Sequence, residues 1–294
     1  MNTRTSHYVK PDWTVDLFTP GEAPPLAIVV AHPDDEVVGV GAQLRRWPHA
    51  HIVHVTDGAP HNSNDAWRAG FVTGEEYASA RQRESISALT FAGIGISQLH
   101  SLGFTDQETP LHLVSITESL VDKFLELQPQ FVITHPYEGG HPDHDSTAFA
   151  VHAARDILLR EQGVAPVILE ATSYFNRSGI MATSEFLPRA RSSVKTLVLS
   201  ADEIEFKQRL FARFKSQQNF LQYFSIRVER LRAAPSYDFT KRPHSGPLYY
   251  EQFQRGTTGE GWSKQAAAAA RRLHQDSISV EVIMPALVSS VFRH

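Results

Sequence analysis

Apolar and polar positions fall into two alternating rhythms over the first half of the chain. Residues Leu26 to Ala31 read LAIVVA, an unbroken apolar run rich in β-branched side chains, which predicts a strand buried on both faces. The next polar cluster leads into a helix over 36–46, and His51 to Thr56 (HIVHVT) predicts a second strand that stops at Asp57-Gly58. A helix follows over 75–91, with Gly93 and Gly95 as its stop signal. Leu111, Val114, Leu120, Val121, Phe124 and Leu125 recur at near-helical spacing before Pro129. Gln130 to His135 predicts another buried strand, and a helix is expected from about Pro142 to Arg160.

The order βαβα predicts an α/β, Rossmann-like fold: a mostly parallel sheet with helices on both faces, plus a C-terminal elaboration. Beyond Arg160 the pattern weakens. Strands are expected over 167–174 and 195–200, mostly helix over 202–232, a long ordered loop over 235–258, and a helix over 263–274 from its five consecutive alanines. The expected organisation is an N-terminal extension over 1–25, a core over 26–200 and a helical and loop elaboration over 201–294, packed on the same domain. In sheets of this kind ligands bind outside the carboxyl ends of the strands.

Composition narrows the chemistry. The chain has 294 residues, enough to bury roughly three quarters of the surface its unfolded form exposes. It has no cysteine, which removes disulfides, thiolate zinc sites, iron–sulfur clusters and a cysteine nucleophile together. Any transition metal must therefore use histidine and carboxylate. Histidine is plentiful at 15 residues. With 28 basic against 32 acidic side chains and no long basic run, nucleic acid is not an expected partner. No apolar run approaches the ~20 residues of a membrane span, and residues 1–20 lack the apolar segment of a secretory signal, so a soluble, cytoplasmic protein is expected. Whether it forms a homo-oligomer is not readable from the pattern.

Two motifs carry the candidate chemistry. At the end of the first strand, His32-Pro33-Asp34-Asp35-Glu36 packs three carboxylates and an imidazole into five residues, a charge density that calls for a cation or a reaction. His32 and Asp35, three apart, can face one divalent ion, leaving Asp34 to hold a proton from water. The bland alternative is a helix N-cap with Glu36 in the first turn. The second motif, His141-Pro142-Asp143-His144-Asp145, has histidines three apart at a Pro-initiated helix start, so that one can bind metal while the other stays free. Its bland alternative is a surface helix start. A His, Asp, His set with an open position is the pattern of catalytic zinc sites, although the same donors suit iron(II), cobalt or manganese. The sequence contains no dinucleotide fingerprint, phosphate loop, nucleophile elbow or His-Glu-x-x-His helix; Gly39-Val40-Gly41 is followed by Leu at position 44.

With these motifs the chain resembles the LmbE-like, PIG-L family of zinc-dependent N-acetylglucosamine deacetylases over about residues 26–160. Thr56-Asp57-Gly58, Arg81-Gln82-Arg83-Glu84, Leu102-Gly103-Phe104 and Asp106-Gln107 add to the likeness. The resemblance implies that His32, Asp35 and His144 bind Zn2+, that Asp34 is the general base, His141 the general acid and Asp143 the carboxylate orienting that histidine. It also implies a substrate-positioning role for Arg81, against the simpler reading of a helix-surface arginine paired with Glu84 or Glu76. The implied reaction is hydrolytic removal of an acetyl group from an N-acetylated amino sugar. A non-catalytic metal- or sugar-binding module and a metal-dependent phosphoesterase are the alternatives. The other histidines, His49, His51, His54, His61, His100, His112, His135, His152 and His244, are expected to be structural.

Overall fold

The computed structural model describes residues 13–18, 23–62, 64–189, 192–253 and 256–288. In chain order the elements are α1 (Trp13–Asp16), β1 (Leu26–Val30), α2 (Asp35–Val40), β2 (His51–Pro60), α3 (Asn64–Arg68), α4 (Gly74–Phe91), β3 (Leu99–Asp106), α5 (Leu113–Leu127), β4 (Phe131–Thr134) and α6 (Pro142–Gln162). There follow β5 (Val167–Ala171), β6 (Tyr174–Arg177), β7 (Ile180–Thr183), β8 (Val194–Val198), α7 (Ala201–Phe211), α8 (Gln218–Leu221), β9 (Val228–Ala233) and α9 (Gly259–Val288).

Seven strands form the main sheet in the order β3-β2-β1-β4-β5-β9-β8. The first five are parallel, and β9 and β8 join antiparallel at one edge. Strand β1 is central because alternate side chains feed two cores. Leu26, Ile28 and Val30 pack with α2, α4 and α7, while Ala27 and Val29 pack with α5, α6 and α9. A run with period-two burial on both faces has no polar alternation, which is why it reads as continuous apolar sequence. Each fully buried valine or isoleucine there stabilises the fold by about 1.5–3 kcal/mol.

Several sequence expectations shift. The helix expected over 36–46 is α2 followed by a 3-10 turn at Gly41–Arg46. The second strand runs on to Pro60, and the strand expected over 167–174 is two elements, β5 and β6. The largest difference is in 202–232: α7 ends at Phe211, and residues 228–233 are a strand in the main sheet rather than helix. There Glu229 and Arg232 meet buried partners, Lys207 at 2.7 Å and Glu170 at 2.6 Å, so these charged residues can occupy an inner strand. Much of residues 1–25, the expected N-terminal extension, lies outside the described residues. No described helix is long and apolar enough to cross a membrane.

The chain leaves β1 toward its neighbour β2 and leaves β4, on the other side of β1, toward β5, so the two connections run in opposite directions and a crevice opens between the carboxyl ends of β1 and β4. Both motifs enter that crevice, one from the end of β1 and the other from the loop after β4.

Candidate metal and catalytic site

The turn after β1 brings His32 and Asp35 onto the start of α6. His32 Nδ1 lies 3.1 Å from Asp35 Oδ2, His144 Nε2 lies 3.3 Å from Asp35 Oδ1, and the two imidazole nitrogens are 3.3 Å apart. Donors bound about 2.0–2.1 Å from one tetrahedral ion would stand roughly 3.3 Å from each other, so this N,N,O set has the spacing a divalent metal needs. All three side chains are about nine-tenths buried or more. Two facing imidazole nitrogens and a carboxylate, enclosed together, are chemically suited to such an ion.

The supporting contacts come from several elements. Ser173, between β5 and β6, hydrogen-bonds His144 Nδ1 at 3.1 Å, leaving Nε2 as the donor toward the centre. His135 stacks on the His144 ring at 4.0 Å, and its Nε2 accepts the Ala31 N–H at 2.9 Å. On the other side of His32, Nε2 faces Asp143 Oδ2 at 3.2 Å and Asp106 Oδ1 at 3.3 Å. Asp143 is itself held by the Gln107 backbone N–H at 2.6 Å and the Thr109 hydroxyl at 2.6 Å. Its carboxylate is 3.8 Å from His141 Nδ1, so the histidine it orients by hydrogen-bond distance is His32.

Asp34 stands beside this set with its carboxylate turned elsewhere. Its backbone has φ 150° and ψ −22°, its side chain makes no N-cap bond, and Oδ2 meets Arg81 Nη2 at 3.0 Å. Burial raises the Asp34 carboxyl to about 7, even though the Arg81 charge pulls it down. For Asp35, burial acts upward as well, but His144 and His135 outweigh it and hold the carboxyl well below its usual range. Burial alone would lower His32; Asp106 and the hydrogen bonds to Asp106, Asp143 and Asp35 raise it well above its ordinary value.

His141 begins α6. Its Nδ1 accepts the Asp143 N–H at 3.3 Å, which leaves the Nε2 position to carry the proton. Burial brings the imidazole down to about 3, only partly offset by Asp143, so the ring is neutral at pH 7. Its side chain keeps 20% exposure and lines a cavity of about 430 Å³ with His32, Asp34 and Arg81. A larger cavity, about 940 Å³, lies between α6, α9 and residues 233–240 and contains no residue of either motif.

Arg81 is 5% exposed, not a surface residue. Glu84, one of its imagined partners, instead accepts from the Ser216 N–H at 3.0 Å and hydroxyl at 2.6 Å. Arg81 reaches Asp34, the Gly58 carbonyl at 2.6 Å and the Pro33 carbonyl at 3.3 Å. Gly58, at φ 69°, is needed because a Cβ there would fall 2.5 Å from the guanidinium. Asp57 completes that turn by accepting the Ala59 N–H at 2.9 Å.

His135, Ser173, Thr109 and Asp106 acquire no role from the residue patterns. The only signal was position: His135 and Asp106 both end strands of a parallel sheet, where ligands gather. Ser173 and Thr109 carry no comparable signal.

Comparison with known proteins agrees with this geometry. Residues 27–155 match the family model described as "PIG-L: GlcNAc-PI de-N-acetylase". No curated protein matches the chain with comparable significance. Among solved structures, the chain is similar to the zinc-inhibited form of teicoplanin deacetylase Orf2, at 18% identity and TM-score 0.52, covering 70% of this chain and 96% of that one. The A40926 pseudoaglycone deacetylase Dbv21 gives 20% identity and TM-score 0.55, over 74% and 99% of the two chains. The N,N'-diacetylchitobiose deacetylase of Pyrococcus horikoshii gives 19% and 0.53, over 76% and 88%. At such identities these likenesses establish the fold. With both motifs inside it, the stretch 27–155 is a hit to the PIG-L (LmbE-like) family domain.

Proposed function

We propose that this protein is a metal-dependent hydrolase that removes an acetyl group from an N-acetylated amino sugar. The observation that carries the reading is the convergence, in one cavity, of three metal-spaced donors (His32, Asp35, His144) with a further carboxylate outside that set, Asp34, and an imidazole N–H, His141. A binding module would need neither of the last two. The PIG-L match and the deacetylases among the similar folds support the same chemistry.

His32, Asp35 and His144 would hold the ion, with Zn2+ the first choice for this donor set. A divalent ion in that position supplies Lewis-acid polarisation of the amide carbonyl and makes water acidic near neutral pH. Asp34 accepts the proton of the attacking water at its carboxylate, and a base whose pKa is near 7 is well matched to that step. Arg81 keeps that carboxylate aimed by its hydrogen bond to Oδ2. As the tetrahedral oxyanion forms, the Nε2–H of His141 offers it a hydrogen bond. The departing nitrogen must be protonated, because an amide anion is too poor a leaving group; the proton that Asp34 has taken from water is the one available, and His141 passes it on to the nitrogen, becoming imidazolium only in that step and ending as the neutral ring. Acetate and a free amine result.

Asp143 steadies both histidines, accepting from His32 Nε2–H and placing its own N–H on His141 Nδ1. The phosphoesterase alternative finds less support: the cavity carries Asp34, Asp35, Asp65 and Asp106, and its arginines, Arg68 and Arg81, each face a carboxylate.

The test is acetate release by the metal-reconstituted protein from a panel of N-acetylated mono- and disaccharides. Acetate from at least one member is expected. Phosphate released from phosphoesters, with no acetate from any member, would overturn the reading.

A further inference from the structure

The loop that leads from β4 to His141 is held by a buried charged cluster built from later segments of the chain. Glu138, three residues before His141, is 1% exposed, and its Oε1 accepts from Arg232 Nη2 at 3.0 Å and from the Leu187 N–H at 2.9 Å. Arg232 is buried too, on β9, where the antiparallel register sets it opposite Glu170 of β5. Its Nε donates to Glu170 Oε2 at 2.6 Å, and the Tyr237 hydroxyl donates to Glu170 Oε1 at 2.5 Å. Glu170, Leu187, Arg232 and Tyr237 all lie outside the family match, whereas Glu138 and His141 lie inside it.

A buried guanidinium that faces two carboxylates is balanced when one carboxyl carries a proton. Burial raises both against the pull of Arg232, Glu170 to about 7 and Glu138 to about 8, so Glu138 is the one that holds the proton at pH 7. Its Oε1 has both hydrogen-bond partners, and its Oε2 has none. Glu138 thus serves as an acceptor rather than as a charge.

Between Glu138 and His141 stand Gly139 and Gly140, which have no side chains to hold them. Their backbone is closely fitted instead. The Gly139 N–H donates to Asp145 Oδ1 at 3.1 Å, its carbonyl accepts the Tyr249 N–H at 2.8 Å, and Gly140 has no room for a Cβ against the Tyr174 carbonyl. Glu138 is therefore the last side chain that ties the loop to the sheet before His141, and backbone packed this closely passes a shift at Glu138 along to the start of α6.

We infer that Glu138 is a positioning residue for His141: Arg232 and the Leu187 N–H fix its Oε1, and the loop so fixed keeps His141 Nδ1 on the Asp143 N–H and the imidazole proton on Nε2. That His141 passes a proton to the departing nitrogen rests on the deacetylase reading; its placement by Glu138 does not.

Glu138→Ala removes the acceptor while Arg232 keeps Glu170, so no charge is left unpaired. In the Zn2+-loaded protein, long-range 1H–15N spectra report the His141 tautomer, the signal being assigned by its loss in His141→Ala. Wild type is expected to show the Nε2–H form, and Glu138→Ala a mixture with the Nδ1–H form. In the acetate-release assay kcat should fall about 10- to 100-fold with KM and bound metal unchanged, the scale of a small misplacement of a reacting group. Glu138→Gln keeps the length and the Oε1 acceptor, and should restore both the tautomer and kcat. Should Glu138→Ala fail to fold, Glu138→Asp, one methylene short of both donors, carries the same expectations. A wild-type tautomer in the folded Ala or Asp variant, an unchanged kcat, a kcat loss matched by loss of bound metal, or a defect as large in Glu138→Gln would overturn the role. A tautomer that shifts in Glu138→Ala and returns in Glu138→Gln, while wild type releases no acetate, would count against the deacetylase reading and leave the positioning role standing.

Discussion

The guanidinium of Arg81 closes on the carboxylate of Asp34, Nη2 to Oδ2 at 3.0 Å, across 47 residues of chain. It does so at a residue whose own φ is 150°, and it binds the carbonyl just before that residue as well. Arg81 thus clamps the turn that aims the proposed base.

The clamp separates two roles for the arginine. Arg81→Lys replaces a planar fork by a single point donor that cannot serve Asp34, Pro33 and Gly58 together. We expect kcat to fall about 10- to 100-fold with KM little changed and metal content retained, as steady-state kinetics and metal analysis would show. A raised KM with kcat intact would return Arg81 to the substrate-positioning role that the family resemblance implies.

Asp34→Asn keeps the size of the side chain and removes its basicity. Turnover should drop by about 100- to 10,000-fold, while metal analysis still finds the ion bound by His32, Asp35 and His144. Full activity in a metal-replete Asp34→Asn protein would refute the assignment of Asp34 as base.

Thr109 touches none of the proposed ligands, yet its hydroxyl donates to Asp143 Oδ1 at 2.6 Å, and Asp143 Oδ2 faces His32. Thr109→Val should weaken metal affinity by about tenfold, the lower end of what loss of such supporting contacts costs. Competition with a fluorescent chelator reads this directly, and an unaltered affinity would show that the Gln107 N–H alone suffices.

A Cβ at Gly140 would run into the carbonyl of Tyr174, a backbone atom with little freedom to yield. Gly140→Ala should therefore destabilise the fold by about 1–3 kcal/mol and displace His141 next to it. A lowered midpoint in denaturant titration, together with reduced kcat, is expected; a wild-type midpoint would mean that the loop relaxes freely.

One pH effect should be independent of the metal. His152 packs edge-on against Tyr237 and Phe239 at 5.4 and 5.5 Å, and burial lowers its pKa from 6.5 to about 4. Between those values the unfolded chain binds more protons than the folded one, so this histidine's effect on stability is absent above about pH 6.5 and becomes destabilising as pH falls toward 4. His152→Gln should flatten the dependence of melting temperature on pH in that window. An identical slope in both proteins would remove His152 as its source.

The two rhythms along the chain determined much of the fold. The continuous apolar run at Leu26 to Ala31 and the shorter one at Phe131 to Ile133 read as strands with both faces covered, and the helical spacings between them supply the covers. The motifs were legible for a related reason: three carboxylates and an imidazole within five residues are too costly to bring together without a use. The strand at 228–233 was not legible, because its charges read as solvent-facing until Lys207 and Glu170 are brought to it.

By itself the sequence determined the parallel core and which side chains could meet a cation. Only the tertiary structure decided how those side chains divide the work. It turned Arg81 inward onto Asp34, placed Asp143 nearer His32 than His141, and supplied Ser173, Thr109 and His135 from distant segments. Local patterns record the charge and periodicity of neighbours in the chain. The partner that each buried polar atom acquires depends on which strands lie side by side, and that is settled only when the sheet closes around its core.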